Sequence, residues 1–355
     1  MNPADDRAFT APLIKALRTH VDAFAASMAG PPPRHGDLEA VRPCAVAWVY
    51  YSALVAWAED HGLIDPYLRP AAADRRKLYA PREAGGMRGW LARAFAALCA
   101  HPATWCLLDP RYSELRAHRP SEQVCRDLVD WWSSDAPSLA YEADAGPGSI
   151  TGWLVGDLLQ ALSAERAKGN ALCQTPWWIA DGILDLTLVP AAAQLRDEPV
   201  LRLIDPTCGT GHFLIRAIDY LWDWYTTGRM EPRQARVPAA TGGPKVEPAE
   251  AIRRIVAGLD GCELDPLTAA VARLRVTAVL GDLMHRSGLI PKRRLDCVPP
   301  LRPRIVVGDS LLAGTATAEE YARLRPAQAA IVNLGTPAAA APAQTELFPP
   351  SEETA

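Results

Sequence analysis

The segment that most narrows what this chain can become lies past its midpoint. Val200-Leu201-Arg202-Leu203-Ile204 is a short apolar run that ends in Asp205-Pro206; the chain then turns through Thr207-Cys208-Gly209-Thr210-Gly211 and enters a helix-patterned stretch over 212–224. An apolar run, a glycine turn and an amphipathic stretch in that order read as strand, loop, helix. Similar units follow. Residues 249–256 read as a helix, 257–264 as a second strand, 266–285 as a long helix with Pro266 in its first turn, and Arg304–Val307 as a third strand. Strands alternating with helices predict a parallel α/β sheet. No internal repeat is visible.

The part before this sheet has a different texture. Ala-rich amphipathic stretches at 10–28, 45–61 and 87–100 are separated by breaks at 30–36 and at Pro102, so residues 1–170 are expected to form a helical domain. Its tryptophans (Trp48, Trp57, Trp90, Trp105, Trp131, Trp132 and Trp153) fall at helical spacings and are assigned to helix–helix packing. No chemical motif stands out there. The eight cysteines form no C-x-x-C pair, so they read as reduced thiols of a cytoplasmic protein, and no metal site is expected. The N-terminus lacks a basic-then-apolar signal pattern, and charge breaks every apolar run before it could span a membrane. A net charge of −4 gives no basic footprint of the kind that grips nucleic acid.

The chemistry gathers at the strand ends. Glycine lets the backbone come close to a ligand, and the free N–H groups of the following helix point at it. A glycine-rich turn alone occurs in many nucleotide folds. The acid before it is more informative: Asp205 would repel a pyrophosphate but attract the cationic amino group of S-adenosylmethionine. Thr207, Gly209, Gly211 and Phe213 are then the candidate residues around that cofactor. Glu263, in Gly261-Cys262-Glu263-Leu264-Asp265-Pro266, ends the second strand, where an acid can accept both ribose hydroxyls. It comes later than the usual ~20 residues after the glycines. The excess is 227–246, rich in Pro, Gly and Arg and expected to be a mobile insertion. Asp265, before a proline, is a candidate helix cap. Asp309, in Val306-Val307-Gly308-Asp309-Ser310-Leu311, follows the third strand and can accept from an adenine amino group. Upstream, Thr175-Pro176-Trp177-Trp178-Ile179 opens a helix, with Thr175 expected at the N-cap and Pro176 at the first helical position. Each segment alone could be an ordinary turn, cap or surface acid; their joint order carries the functional reading.

In motif order these segments resemble the gamma-class amino-methyltransferases. Thr175-Pro176 matches the cofactor motif that precedes the sheet, 205–214 the glycine-rich motif, Glu263 the ribose acid and Asp309 the adenine-contacting acid. The wording of Trp178-Ile179 and Leu184-Asp185-Leu186-Thr187-Leu188, of 205–214 with His212, and of Gly308-Asp309-Ser310-Leu311-Leu312 is similar to that of the PglX methyltransferases of BREX phage-defence systems. The resemblance implies a Rossmann-like, S-adenosylmethionine-dependent methyltransferase sheet, present here as its first three strands and preceded by a mostly α-helical domain. It implies a phage-defence or restriction-modification enzyme that methylates adenine N6 at specific sites in duplex DNA. In such enzymes the adenine is flipped out of the helix, and an Asn-Pro-Pro-Tyr or Asn-Pro-Pro-Phe segment after the fourth strand polarises its amine. The sequence holds one Asn-Pro, Asn2-Pro3, followed by neither a second proline nor an aromatic residue. No catalytic residue is therefore assigned, and a second polypeptide, or a C-terminal part of the same protein, is expected to supply catalysis and target recognition.

The expected organisation is a helical domain over 1–170, a cofactor-binding part over 171–314 with its insertion at 227–246, and a largely disordered tail over 315–355. The first strand is expected to lack a neighbour on one edge, with three outcomes: a partner chain pairs it, the favoured reading, a tail strand at 329–334 covers it, or the protein aggregates. Rival functions are a non-catalytic cofactor-binding or assembly subunit, an RNA or small-molecule methyltransferase, and, more distantly, an NAD-binding domain.

Overall fold

The computed structural model describes residues 3–30, 35–140, 150–163 and 175–310. The expected disordered tail and its candidate strand at 329–334 lie outside the described residues.

In chain order the main elements are α1 (Pro3–Ala29), α2 (His35–Asp60), α3 (Ala73–Tyr79), α4 (Met87–Ala97), α5 (Glu122–Ser134), α6 (Trp153–Leu162), α7 (Trp177–Gln194), β1 (Leu203–Asp205), α8 (His212–Thr227), β2 (Arg229–Met230), β3 (Ala240–Thr241), α9 (Pro248–Gly258), β4 (Leu259–Glu263), α10 (Pro266–Arg286) and β5 (Arg304–Val307). The architecture is mixed α/β, with a helical N-terminal part and a small parallel sheet. The chain divides into two compact units: Met1–Gln174 with Pro266–Leu301, and Thr175–Asp265 with Arg302–Ala355.

The helical unit is organised around α2, where Tyr50, Tyr51, Leu54 and Trp57 have no exposed surface. Buried aromatic residues need partners for their polar tips, and these find them. The Tyr50 hydroxyl donates to the Val155 carbonyl at 2.9 Å, Trp48 Nε1 to the Leu115 carbonyl at 3.0 Å, and Trp132 Nε1 to Ser52 Oγ at 2.7 Å. Trp48, Trp57, Trp90, Trp132 and Trp153 are buried as expected; Trp105 and Trp131 are half-buried. The Glu122 carboxylate accepts from the N–H groups of Met87 and Arg88 and so caps α4, whose own N-cap residue is a glycine.

Segment 266–301 belongs to this helical unit, although the expected boundary at 170 assigns it to the sheet. The reason is visible in its bonds. Arg275, fully buried on α10, donates through Nε and Nη2 to the Thr151 carbonyl at 3.1 and 3.0 Å. Leu295 N–H donates to the Leu63 carbonyl, and His101 Nε2 lies 2.9 Å from the Pro299 carbonyl oxygen.

In the second unit the sheet has the order β1-β4-β5, all parallel. Leu203 stands opposite Leu259, Asp205 opposite Gly261, and Glu263 opposite Val307. The first strand is shorter than the expected 200–204 because Leu201 is held elsewhere: its N–H donates to the Tyr225 hydroxyl at 2.7 Å. Arg202, the charge that interrupts this apolar run, lies 3.6 Å from Asp260; Arg304 Nε meets the same carboxylate at 2.5 Å. A buried acid on the central strand is thus flanked by a cation from each side. Among the described residues β1 is an edge strand. The insertion, expected to be mobile, is tied down instead: β2 and β3 pair antiparallel, and the loop between them is bonded to α7. Among the described residues no helix is long and apolar enough to cross a membrane.

Candidate functional site

The carboxyl ends of three parallel strands bring together the loops that carry the candidate residues, as open α/β sheets do with their ligand sites. The ladder runs on past the strands. Cys208 N–H donates to the Cys262 carbonyl at 2.8 Å, and Gly308 N–H to the Glu263 carbonyl at 2.9 Å. The glycine-rich loop is therefore anchored to β4 and the Asp309 loop to β4's end. Between Asp205 and α8 the backbone enters the left-handed region twice, at Gly209 (φ 55°) and at Gly211 (φ 89°), the N-cap of α8. Glycine is the residue that adopts this conformation without a Cβ penalty.

Two carboxylates face this loop. Asp205 Oδ1 accepts from Thr207 N–H at 3.1 Å, while Oδ2 is buried without a hydrogen-bond partner. Glu263 Oε2 accepts from Gly209 N–H and Oε1 from Asp265 N–H, both at 2.9 Å. Burial pushes the Asp205 carboxyl up to about 6; the Thr207 N–H pulls it back, and the Glu263 charge adds to the rise. Burial also raises Glu263, against the Asp265 and Gly209 N–H groups. A buried oxygen without a partner costs free energy unless something meets it. The donor set suits S-adenosylmethionine: an anionic, unsatisfied oxygen for its ammonium group, and a second carboxylate whose oxygens keep a lone pair each for hydroxyl donors. Among the described residues no cluster of histidine, cysteine, aspartate or glutamate could hold a metal ion.

The remaining candidates take these places. Thr207 is exposed, Gly209, Phe213, Asp309 and Thr175 are half-buried, and Gly211 is buried. Thr175 does not cap α7. The N-cap is Pro176, whose carbonyl accepts from Ile179 and Ala180, and no side chain caps the helix. Pro176 has an extended ψ of 142° and so stands outside the helix rather than at its first position.

Sequence reading missed how α7 is fastened. Asp181 and Asp185, one turn apart on this apolar helix, are both buried. Asp181 takes a two-pronged bond from Arg216 of α8, at 2.8 Å from Nε and 2.7 Å from Nη2. Asp185 accepts from the Tyr220 hydroxyl at 2.7 Å and from the N–H groups of Arg233, Gln234 and Ala235. Burial pushes the Asp185 carboxyl up, but the Ala235 N–H, the Tyr220 hydroxyl and the Gln234 and Arg233 N–H groups outweigh it, and it ends below the ordinary range. The available signal was the pair of acids itself: carboxylates in an otherwise apolar stretch are either exposed or bonded.

No family model matches the chain. In an alignment of 296 positions that covers 77% of this chain, it is 33% identical to the "Adenine-specific methyltransferase PglX" of Streptomyces coelicolor. The chain spans 22% of the length of this curated relative. Among solved structures, the cryoEM structure of a DrdV–DNA complex aligns with 92% of this chain and 26% of that one, at 16% identity and a TM-score of 0.38.

Proposed function

The chain is PglX-like, and from that premise we propose that it is the S-adenosylmethionine-binding portion of a site-specific DNA adenine-N6 methyltransferase of a phage-defence or restriction-modification system. The observation that carries the reading is the unsatisfied, buried Oδ2 of Asp205 beside a second carboxylate that holds the glycine-rich loop. When bound, S-adenosylmethionine supplies an electrophilic methyl group on a sulfonium. Asp205 would receive its ammonium group, Glu263 its ribose hydroxyls and Asp309 its adenine amine. Gly209 and Gly211 let the backbone approach without a Cβ in the way, and Thr207, Phe213 and Thr175 complete the wall. The residues that polarise the target adenine and read the DNA lie, in this proposal, outside these 355 residues, on a second polypeptide or on a further part of the same protein.

Calorimetry with S-adenosylmethionine tests the site. The wild-type chain is expected to bind, and Asp205→Ala and Glu263→Ala each to weaken binding by roughly 1.5–3 kcal/mol, the worth of a hydrogen bond to a charged group. Unchanged affinity in both variants would remove the assignment.

A further inference from the structure

Helices α7 and α8 are joined by two side-chain bonds whose positions match. Asp181 is the fifth residue of α7 and Arg216 the fifth of α8; Asp185 and Tyr220 are the ninth of each. Two rungs, one turn apart on both helices and in the same order, require the helices to run in the same direction with their N-termini level. Each first rung lies about 6 Å from its helix start at 1.5 Å per residue. The start of α7, two residues after Thr175, is thereby held level with the start of α8, two residues after Thr210 of the glycine-rich loop.

We propose that Arg216 and Asp181 are positioning residues for the cofactor site: their bond sets where Thr175 stands against the glycine-rich loop. This inference rests on the reading of that loop as the S-adenosylmethionine site. The bond suits the task. A guanidinium fork on a carboxylate fixes direction as well as distance, and both residues are buried, at 7% and 1% exposure of their side chains. The second rung ties Asp185 to the loop over 233–235 as well as to Tyr220, whereas the first joins Asp181 of α7 directly to Arg216 of α8, which also meets Asp219 on its own helix at 3.5 Å. Neither Arg216 nor Asp181 needs to touch the cofactor. Two adjacent acids on one helix face would repel each other; here Arg216 meets one and backbone N–H groups meet the other.

The test is a double-mutant cycle read by calorimetry with S-adenosylmethionine on the full chain. Arg216→Gln and Thr175→Val are each expected to raise Kd about fivefold, the worth of one ordinary hydrogen bond. If Arg216 acts through Thr175, the double variant binds no more weakly than either single one. A role confined to holding the fold together would instead lower the unfolding temperature and leave the affinity of the folded fraction unchanged, or give fold-changes that multiply in the double variant. Either result overturns the proposal. If Arg216→Gln does not fold, Arg216→Lys, which keeps the charge and loses the fork, enters the same cycle with the same criteria. Asp205→Ala is measured alongside. A wild-type chain that does not bind removes the cofactor site itself; binding that responds to Asp205 but not to Arg216 removes only the positioning pair.

Discussion

At the end of β1, Asp205 carries a charge where burial penalises it, and the sign of that penalty can be worked out. Its carboxyl rises from 3.8 to about 6 in the folded chain, so the folded state keeps a proton that the unfolded chain has already released. Stability therefore falls as pH rises through this window, and the loss is complete above the folded value. Asn carries no charge at any of these pH values. We expect Asp205→Asn to stabilise the chain at neutral pH by on the order of 2 kcal/mol, with the gain vanishing below about pH 4. The same variant should lose affinity for S-adenosylmethionine at neutral pH. Thermal unfolding at the two pH values, beside calorimetry, checks both; a variant less stable than wild type at neutral pH would show that the charge is met by a partner in the free protein. A residue that weakens the fold and strengthens a site is what a binding function leaves behind.

Among the elements, the parallel sheet with its intervening helices and glycine turn was legible because hydrophobic period and turn chemistry are local properties of the chain. Helix α8 was expected to end at 224 and runs to Thr227, where Gly228 in the left-handed conformation closes it. The start of β1 was not legible, since it depends on Tyr225 capturing Leu201 N–H, a contact made across a helix. Nor was the order in the insertion, which depends on one carboxylate, Asp185, collecting three backbone donors far along the chain. Tertiary hydrogen bonds of this kind leave no periodic trace. The join of α9 to β4 depends on a glycine for a different reason. A Cβ on Gly258 would stand 2.1 Å from the Leu201 carbonyl oxygen and 3.1 Å from Val200 Cγ1. Because the nearest atom is backbone, relief requires β1 and α9 to move apart. Gly258→Ala is expected to cost about 1–3 kcal/mol, read as a lower urea midpoint; an unchanged midpoint would mean that the two segments are not in contact.

For the molecule as a whole, charge and proposed role agree. A net charge of −4 offers little for a phosphate backbone to bind, which suits the proposed role of holding the methyl donor. Purified alone, the chain is expected to incorporate no tritiated methyl group from S-adenosylmethionine into duplex DNA. Incorporation that disappears in Asp309→Ala would place catalysis within these residues and leave the cofactor assignment standing.

The excursion of residues 266–301 into the helical unit bears on how the protein can be dissected. The backbone leaves the sheet after Asp265 and returns at Arg302, so the two units are interlaced in sequence and no single cleavage separates them. A fragment that starts at Thr175 would retain α10 but strip away the helices that enclose it. Leu267 to Met284, buried without interruption, would then meet water along with an arginine that has lost the carbonyl of Thr151. Pieces 1–174 and 175–355 should accordingly stay together until denaturant is added, and recombinant halves would need to be co-expressed rather than mixed.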